Sequence, residues 1–229
     1  VSHAATAPLV FEGVPLGSRG GRPADLQVPP HHTVAVLGDE DSGVDRLGAW
    51  ALGLDRPPRG RARAFGTVVA DLPEGERLAF RRRVGYLPAG DGLLQNLSLR
   101  DNVALPLRFG SSATPREIDG RVRVMLAAVR VGDAGGRRPA AVHDEERRRA
   151  AFARAMAFDP ALLVLEQPFD GLTARSAAEL LELARGGATA AGARRAILIT
   201  GQDLPTQLQR RVERVYRITR DGLLEPEPA

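Results

Sequence analysis

Val34-Ala35-Val36-Leu37-Gly38-Asp39-Glu40-Asp41-Ser42-Gly43-Val44-Asp45-Arg46-Leu47 decides the fold of this chain. An apolar strand runs into a glycine; four residues, a second glycine and a helix-forming stretch follow. The spacing is that of the phosphate-binding loop G-x-x-x-x-G-K-[ST], in which backbone N–H groups at a helix N-terminus hold phosphate oxygens. The frame lacks its chemistry. Val44 stands at the lysine position, and Asp45 at the hydroxyl position that would ligate magnesium. Asp39, Glu40 and Asp41 line the loop. The stretch reads as a nucleotide-binding fold whose nucleotide site has lost its working residues.

The remaining composition narrows the class. A chain of 229 residues with 43% hydrophobic content suits one globular unit, with room for a subdomain. There is no cysteine, so disulfide frameworks and thiolate metal sites are excluded. No apolar run approaches the roughly 18 residues needed to span a bilayer, and Val1 to Pro8 lacks the pattern of a secretory signal. The expectation is a cytoplasmic protein. All 32 basic residues are arginine. Drift away from lysine would favour arginine at position 44, which keeps the charge; valine does not. Arginines cluster at Arg56–Arg63, Arg81–Arg83, Arg137–Arg138, Arg147–Arg149 and Arg210–Arg214. With aromatic residues at 4%, these read as solvated faces and turns rather than a nucleic-acid surface, and no nucleic-acid partner is expected.

Along the chain, residues 8–28 read as short strands around the turn Gly17–Gly21, and Thr33–Leu37 as the strand entering the loop. A helix over about Val44–Leu54 presents Leu47, Trp50, Ala51 and Leu54 on one face. Arg61–Val69 reads as strand, Glu74–Arg83 as a short amphipathic helix, and Val84–Leu87 as strand before the loop Pro88–Gly92. Leu99–Leu107, a stretch opened by Thr114-Pro115-Arg116-Glu117, and Asp144–Phe158 read as helices. Ala161–Leu165 is a continuous apolar strand of the kind buried in a parallel sheet. Ala174–Arg185 and Leu204–Val212 read as helices, Ala196–Ile199 and Val215–Thr219 as strands. Strand–helix alternation at both ends, with a helical insert between, implies a three-layer α/β core carrying an α-helical subdomain. His31, His32 and His143 have no metal-ligand spacing.

The order of these landmarks resembles an ATP-binding-cassette (ABC) subunit of a membrane transporter, from about Leu9 to Leu224. The segments that carry the resemblance are Val28-Pro29-Pro30, Arg81-Arg82-Arg83-Val84-Gly85-Tyr86, Leu93 to Val103, Ala153 to Pro160, and Arg214-Val215-Tyr216-Arg217-Ile218. It implies a P-loop NTPase-like fold in one domain, residues 1–229. The core would be residues 1–87 and 159–229, with an N-terminal antiparallel β-subdomain, and the helical subdomain about 88–158. The Asn102–Pro106 segment, Phe169 and Asp203-Leu204-Pro205 look like cassettes of lipid-transport (MCE-type) or export systems.

The resemblance also assigns catalytic stations. Gly38, Asp39, Glu40, Asp41, Ser42, Gly43, Val44, Asp45 and Arg46 occupy the phosphate loop. Losing the lysine removes a charge-assisted bond of about 1.5–3 kcal/mol. A carboxylate about 6 Å from a phosphate charge adds repulsion of about 3 kcal/mol at an effective dielectric of about 20. Alternatively Asp41 or Asp45 takes the anion site itself and caps the following helix. The aspartate and glutamate that end the magnesium-binding strand are Glu166, which still has the reach for a metal, and Gln167, which cannot serve as a general base. The glutamine of the loop after Tyr86 falls at Ala89, the switch histidine at Gln202, and the aspartate after Leu172 at Thr173. The adenine-stacking aromatic is missing near Ser18. The signature L-S-G-G-Q falls at Val142-His143-Asp144-Glu145-Glu146, bulky and acidic where small residues at a helix N-terminus would clasp a phosphate.

The expectation is a pseudo-ATPase cassette with no competent catalytic residue. ATP and Mg²⁺ would bind weakly if at all. The chain would sit at the inner face of a bacterial membrane, seated on a permease subunit through residues 93–107 and paired, where it pairs, with a second cassette. Two alternatives are a non-consensus ATPase using Glu166, Gln202 and Arg46, and a soluble regulatory or scaffold protein without a permease.

Overall fold

The computed structural model describes residues 7–17, 21–186 and 195–227. Two sheets share the chain. Strands β1 (Leu9–Leu16), β2 (Arg22–Val28) and β4 (Arg61–Ala64) form an antiparallel sheet in the order β2-β1-β4. The second sheet joins β5 (Val84–Leu87), β6 (Leu162–Glu166), β7 (Ala196–Gly201), β3 (Thr33–Leu37), β8 (Arg214–Ile218) and β9 (Leu224–Pro226), in that order. All its pairings are parallel except the last, β8 with β9.

Alternation along the central strands builds three layers. Val34 and Val36 of β3, Leu162 and Val164 of β6, and Leu198 of β7 face the core shared with the antiparallel sheet and the helix α1 (Arg46–Ala51). Their neighbours Ala35, Leu37, Leu163, Leu165, Ile197 and Ile199 face the opposite core, under the helices. With both faces buried, these strands carry no polar alternation, which is why they read as unbroken apolar runs.

Helices α3 (Leu99–Gly110), α4 (Pro115–Ala128) and α5 (Asp144–Ala155) stand between β5 and β6, with α2 (Glu74–Arg81) just before β5. Helix α4 starts on the expected capping box: Thr114 Oγ1 accepts from the Glu117 N–H, and the Glu117 carboxylate accepts from the Thr114 N–H. Helix α6 (Ala174–Arg185) follows β6, and α7 (Thr206–Gln209) precedes β8.

Several boundaries differ from those expected. Helix α1 is six residues rather than about eleven, because Gly53 takes φ 61° and turns the chain, leaving Leu54 exposed. Arg61–Val69 is strand only to Ala64, and then a 3₁₀ turn at Val69–Asp71. Helix α3 runs through Pro106 to Gly110, and α5 stops at Ala155. Helix α7 spans only Thr206–Gln209, starting after Pro205. The loops after β3, β5, β6 and β7 all leave the carboxyl edge of the parallel strands, so the topology gathers the expected site residues on one edge.

Candidate functional site

The loop after β3 is closed on itself. A 3₁₀ turn at Glu40–Ser42 brings the Ser42 N–H to the Asp39 carbonyl at 2.9 Å. Gly43 adopts φ 77°, a left-handed conformation suited to glycine. The Val44 N–H donates to Ser42 Oγ at 3.3 Å, the Arg46 N–H to the Gly43 carbonyl at 3.1 Å, and the Leu47 N–H to the Val44 carbonyl at 3.3 Å. Ser42 folds back over Gly38, where any Cβ would collide with its hydroxyl. Four amides of the loop and first turn are thereby satisfied within it. Val44, 6% exposed, packs in the core with Leu47 and Trp50.

Neither Asp41 nor Asp45 caps the helix; Ser42 Oγ instead closes the loop ahead of α1 by accepting from the Val44 N–H. Asp39 and Asp45 make no side-chain cap, and Asp39, Glu40, Asp41 and Asp45 are exposed. Glu40, Asp41, Asp45, Arg46 and Arg59 line a cleft of about 500 Å³ beside Pro15 of β1 and Gly17 just after it. The expected place of the adenine aromatic, Ser18, lies outside the described residues.

Glu166 ends β6 nearly buried, 9% exposed, and its carboxylate is turned towards β5. One oxygen accepts from the Ala89 N–H at 3.1 Å, and the Tyr86 hydroxyl hydrogen-bonds to the same side chain. The other oxygen lies against Gly48 of α1, where a Cβ would collide with it. Burial pushes the Glu166 carboxyl up from its ordinary range, the Ala89 and Tyr86 bonds oppose this, and the Asp45 charge adds to it. Burial raises the Tyr86 hydroxyl, and Glu166 raises it further. The two outer members of this arrangement, Tyr86 and Gly48, carry no motif; the only sequence signal is that the side chain at 89 shortens while that at 166 lengthens. Among the described residues, no three potential metal-ligating side chains gather.

Gln167 sits at φ 45°, a strained position for a side chain, tied by its N–H to the Thr200 carbonyl at 2.7 Å. With Glu40, Gln202, Asp170 and Asp203 it lines an adjoining polar cleft of about 740 Å³. Arg217 stands beside two of its residues: it donates to the Gln202 carbonyl at 3.4 Å, sits 3.6 Å from Asp203, and pairs with Glu227 at 2.7 Å. The Glu227 bond raises the Arg217 guanidinium, and Asp203 and Asp39 add to this.

Residues 143–146 make α5 a part of the scaffold. Glu146 accepts from the His143 N–H at 2.9 Å, and Asp144 pairs with Arg147 at 2.8 Å. Glu145 turns inward. Its Oε1 accepts from Ser176 Oγ at 2.5 Å and Arg149 Nε at 2.9 Å, and the Ser176 bond, then Arg149, holds its carboxyl below the usual range. Arg149, 8% exposed, also donates to Ser176 Oγ and the Val129 carbonyl. Thr173 caps α6 by accepting from the Ser176 N–H at 3.2 Å. No hydrogen bond or ion pair among the described residues joins 143–146 to the loop at 38–46.

The Arg147–Arg149 cluster corrects the reading of arginines as solvated faces. Arg147 pairs with Asp91 at 3.0 Å, Arg148 donates to the Gly90 carbonyl, and Arg154 donates to the Gly92 carbonyl at 2.7 Å and the Asp91 carbonyl at 3.1 Å. Helix α5 thus clamps the loop after β5. Burial pushes the Arg148 and Arg154 guanidiniums down. Their spacing along α5 follows from one helical face, but sequence alone does not say that carbonyls wait opposite it.

A glycine-framed loop between the central strand and a helix, beside an antiparallel subdomain, defines the class as a P-loop nucleotide-binding fold. The comparisons make it specific. A family model described as "ABC transporter" matches residues 22–170. The lipoprotein-releasing system ATP-binding protein LolD of Cereibacter sphaeroides is 32% identical, over 92% of this chain and 96% of that protein. LolD of Chromohalobacter salexigens is 34% identical over 71% of this chain and 68% of that protein. The macrolide export ATP-binding/permease protein MacB of Syntrophobacter fumaroxidans is 30% identical over 90% of this chain, which covers 28% of that longer protein. A dimeric post-hydrolysis structure of the ATP-binding cassette MJ0796, bound to ADP and Pi, superposes with a TM-score of 0.82 at 20% identity, covering 96% of this chain and 97% of that one. The chain belongs to the ABC transporter ATP-binding family. Among the described residues no helix is long and apolar enough to cross a membrane.

Proposed function

We propose that this chain is a non-catalytic cassette subunit of a membrane transporter, seated on a permease at the inner face of a bacterial membrane, where it supports or regulates assembly rather than driving it. The observation that carries this reading is the closed loop. The amides of Ser42 and Val44 are bonded to Asp39 and Ser42, and the side chain at the lysine position is buried in the core. ATP and Mg²⁺ do not fit these residues. Arg46 is the loop's own cation and lines the cleft, but position 45 is an exposed carboxylate and Glu166 is bonded to the Ala89 amide. Gln167 supplies no general base. Against the alternative of a non-consensus ATPase, its central residue Glu166 is nearly buried and bonded to the Ala89 amide and the Tyr86 hydroxyl, with the Asp45 charge close by.

The relatives' printed names, a lipoprotein-releasing system and macrolide export, favour an exporter or extractor of amphiphilic cargo over an MCE-type system. A second cassette is the natural further partner, since MJ0796 is seen as a dimer. Titration calorimetry with Mg²⁺-ATP to millimolar concentration tests the reading. No heat and no shift in melting temperature is the expected result; micromolar binding overturns it, and turnover lost in Glu166→Ala would establish the ATPase reading.

A further inference from the structure

A groove of about 750 Å³ lies between the end of α4, helix α6 and Arg211 just after α7. It shares no lining residue with the two clefts at the carboxyl edge of the sheet. Ala128, Ala178, Leu180 and Leu183 give it apolar surface. Ala178 and Leu183 rest on the main core but are only half-buried, so part of their surface is left to the groove. The volume falls within the range of about 300–1,000 Å³ in which proteins hold small ligands.

Cations outnumber carboxylates around it. Among the described residues Arg130, Arg149, Arg175 and Arg211 line the groove against Glu179 and Glu182. Counting Glu145, which Arg149 also holds, the ratio is still four to three. Three of the guanidiniums converge on one carboxylate. Glu179 Oε1 accepts from Arg130 at 3.1 Å and from Arg175 at 3.0 Å, and its Oε2 lies 3.6 Å from the buried Arg149. A guanidinium carries five N–H donors and a carboxylate about four acceptor sites. Arg130 and Arg175 give Glu179 one nitrogen each and stay largely exposed, with donors left over.

Arg130 reaches this place at a cost in backbone strain. Helix α4 ends in paired bonds from the Arg130 N–H to the Ala127 carbonyl and from the Val131 N–H to the Leu126 carbonyl, both at 2.9 Å. That motif puts its next-to-last residue in the left-handed region and ordinarily uses glycine there. Here it is arginine, at φ 61°. The dipole of α4 favours a cation in the last turn, but the exposed Ala127 or Ala128 could carry one without strain. Strained positions of this kind gather at ligand sites.

We propose that this groove binds a small amphiphilic anion, its carboxylate or phosphate head held by Arg130 and Arg175 and its apolar body laid along Ala178 and Leu183. The two guanidiniums stand between the head and the Glu179 charge, and the apolar body lowers the dielectric around the new ion pairs. An inorganic anion leaves the apolar surface unused, and a neutral or cationic amphiphile leaves the guanidiniums unused. A bilayer presents many charges in one plane, whereas these cations converge on one point of a cleft. The assignment is independent of the non-catalytic reading, because none of these residues lies in the loops after β3, β5, β6 and β7.

The test is NMR on the isotope-labelled full chain, reading arginine Nε–H signals and backbone amides. The probes are decanoate below its aggregation concentration, decyltrimethylammonium, inorganic phosphate and phosphatidylglycerol vesicles. Decanoate should give saturable shifts at the Arg130 and Arg175 side chains and the amides of Ala178 to Leu183. Decyltrimethylammonium and inorganic phosphate should leave them in place. Arg130→Gly should weaken decanoate binding about tenfold, the loss of one charge-assisted contact. The same variant releases the left-handed backbone and gives up only an exposed ion pair, so its melting temperature should not fall and unfolding is not the cause. Equal affinity in Arg130→Gly, equal shifts with decyltrimethylammonium or with phosphate, shifts with the vesicles but not with decanoate, or no saturable shift at the groove overturns the assignment.

Discussion

Restoring the loop lysine alone should fail to restore nucleotide binding. In Val44→Lys the new side chain must leave a core site that is 6% exposed and packed on Leu47 and Trp50. Full burial of a valine is worth about 1.5–3 kcal/mol, and the lysine stem keeps part of it. The expected destabilisation is about 1–2 kcal/mol, or a fall in melting temperature of about 2–8 °C for a chain of this size. Against this the lysine offers ATP at most about 1.5–3 kcal/mol. To admit phosphate the loop must also break the Ser42–Asp39 and Val44–Ser42 bonds, each worth about 0.5–1.5 kcal/mol. Exposed Asp41 and Asp45 remain, each able to repel a phosphate charge by about 3 kcal/mol at about 6 Å. The sum leaves no net gain. Calorimetry on Val44→Lys should therefore show no Mg²⁺-ATP binding at millimolar nucleotide, with a lower melting temperature. The triple variant Asp41→Gly, Val44→Lys, Asp45→Ser removes both repulsions and should bind at least about a thousandfold better than the single variant. Micromolar binding by the single variant, or a triple variant that stays inert while folded, would refute the charge and closure argument.

Glu166→Gln should raise stability at pH 7 and flatten its pH dependence. The folded pKa of Glu166 is raised by burial, so the penalty is absent below the unfolded value of about 4.3, grows as pH rises towards the folded value, and is full above it; glutamine still accepts from the Ala89 N–H. Urea melts at pH 4 and pH 7 measure this. Glu145→Gln should act oppositely, because the Ser176 and Arg149 bonds depress that carboxyl: its stabilisation is present above the unfolded value and is lost as pH falls through the folded one. Discounted for its one-third exposure, the loss at pH 7 is about 1 kcal/mol by the same melts. Arg154→Ala removes the two donors that hold the Asp91 and Gly92 carbonyls and should speed amide exchange across residues 88–93 well beyond any change in global stability.

Much of this fold is legible in the sequence because a parallel sheet buried on both faces must be apolar throughout, as β3, β6 and β7 are. Helix α4 announces its own start in Thr114-Pro115-Arg116-Glu117, and α6 matches its expected limits because Thr173 caps one end and Gly186, at φ 82°, the other. Helix α1 was harder. Its apolar spacing runs on to Leu54, but whether a helix continues there depends on Gly53 turning the chain against Val69 and Ala70, a long-range contact. In the site, the loop frame and the identities at 44, 45, 89, 166, 167 and 202 can be read from the sequence; their bonding cannot. That Ser42 rather than an aspartate closes the loop depends on a hydroxyl short enough to turn over Gly38. That Arg147, Arg148 and Arg154 are clamps depends on a loop 56–63 residues earlier in the chain, which no local periodicity reports.

Several of the replaced side chains have a structural task, and this bears on how the site came to differ. Ser42 closes the loop, Val44 fills the core, Glu166 reaches the Ala89 amide, Glu145 joins Arg149 to Ser176, and Thr173 caps α6. Unselected drift at a ligand site would leave groups that bond to nothing, because the ligand was their partner. At positions 145, 166 and 173 the new group instead bonds to the chain itself. The loop carboxylates are the exception: Asp39, Glu40, Asp41 and Asp45 are exposed, and none takes part in an ion pair found among the described residues. Glu40, Asp41 and Asp45 share the 500 Å³ cleft with Arg46 and Arg59, and on the proposed reading the carboxylates disfavour phosphate there. On the proposed reading, a scaffold bonded within itself and a cleft that disfavours nucleotide are the two properties a non-cycling cassette needs.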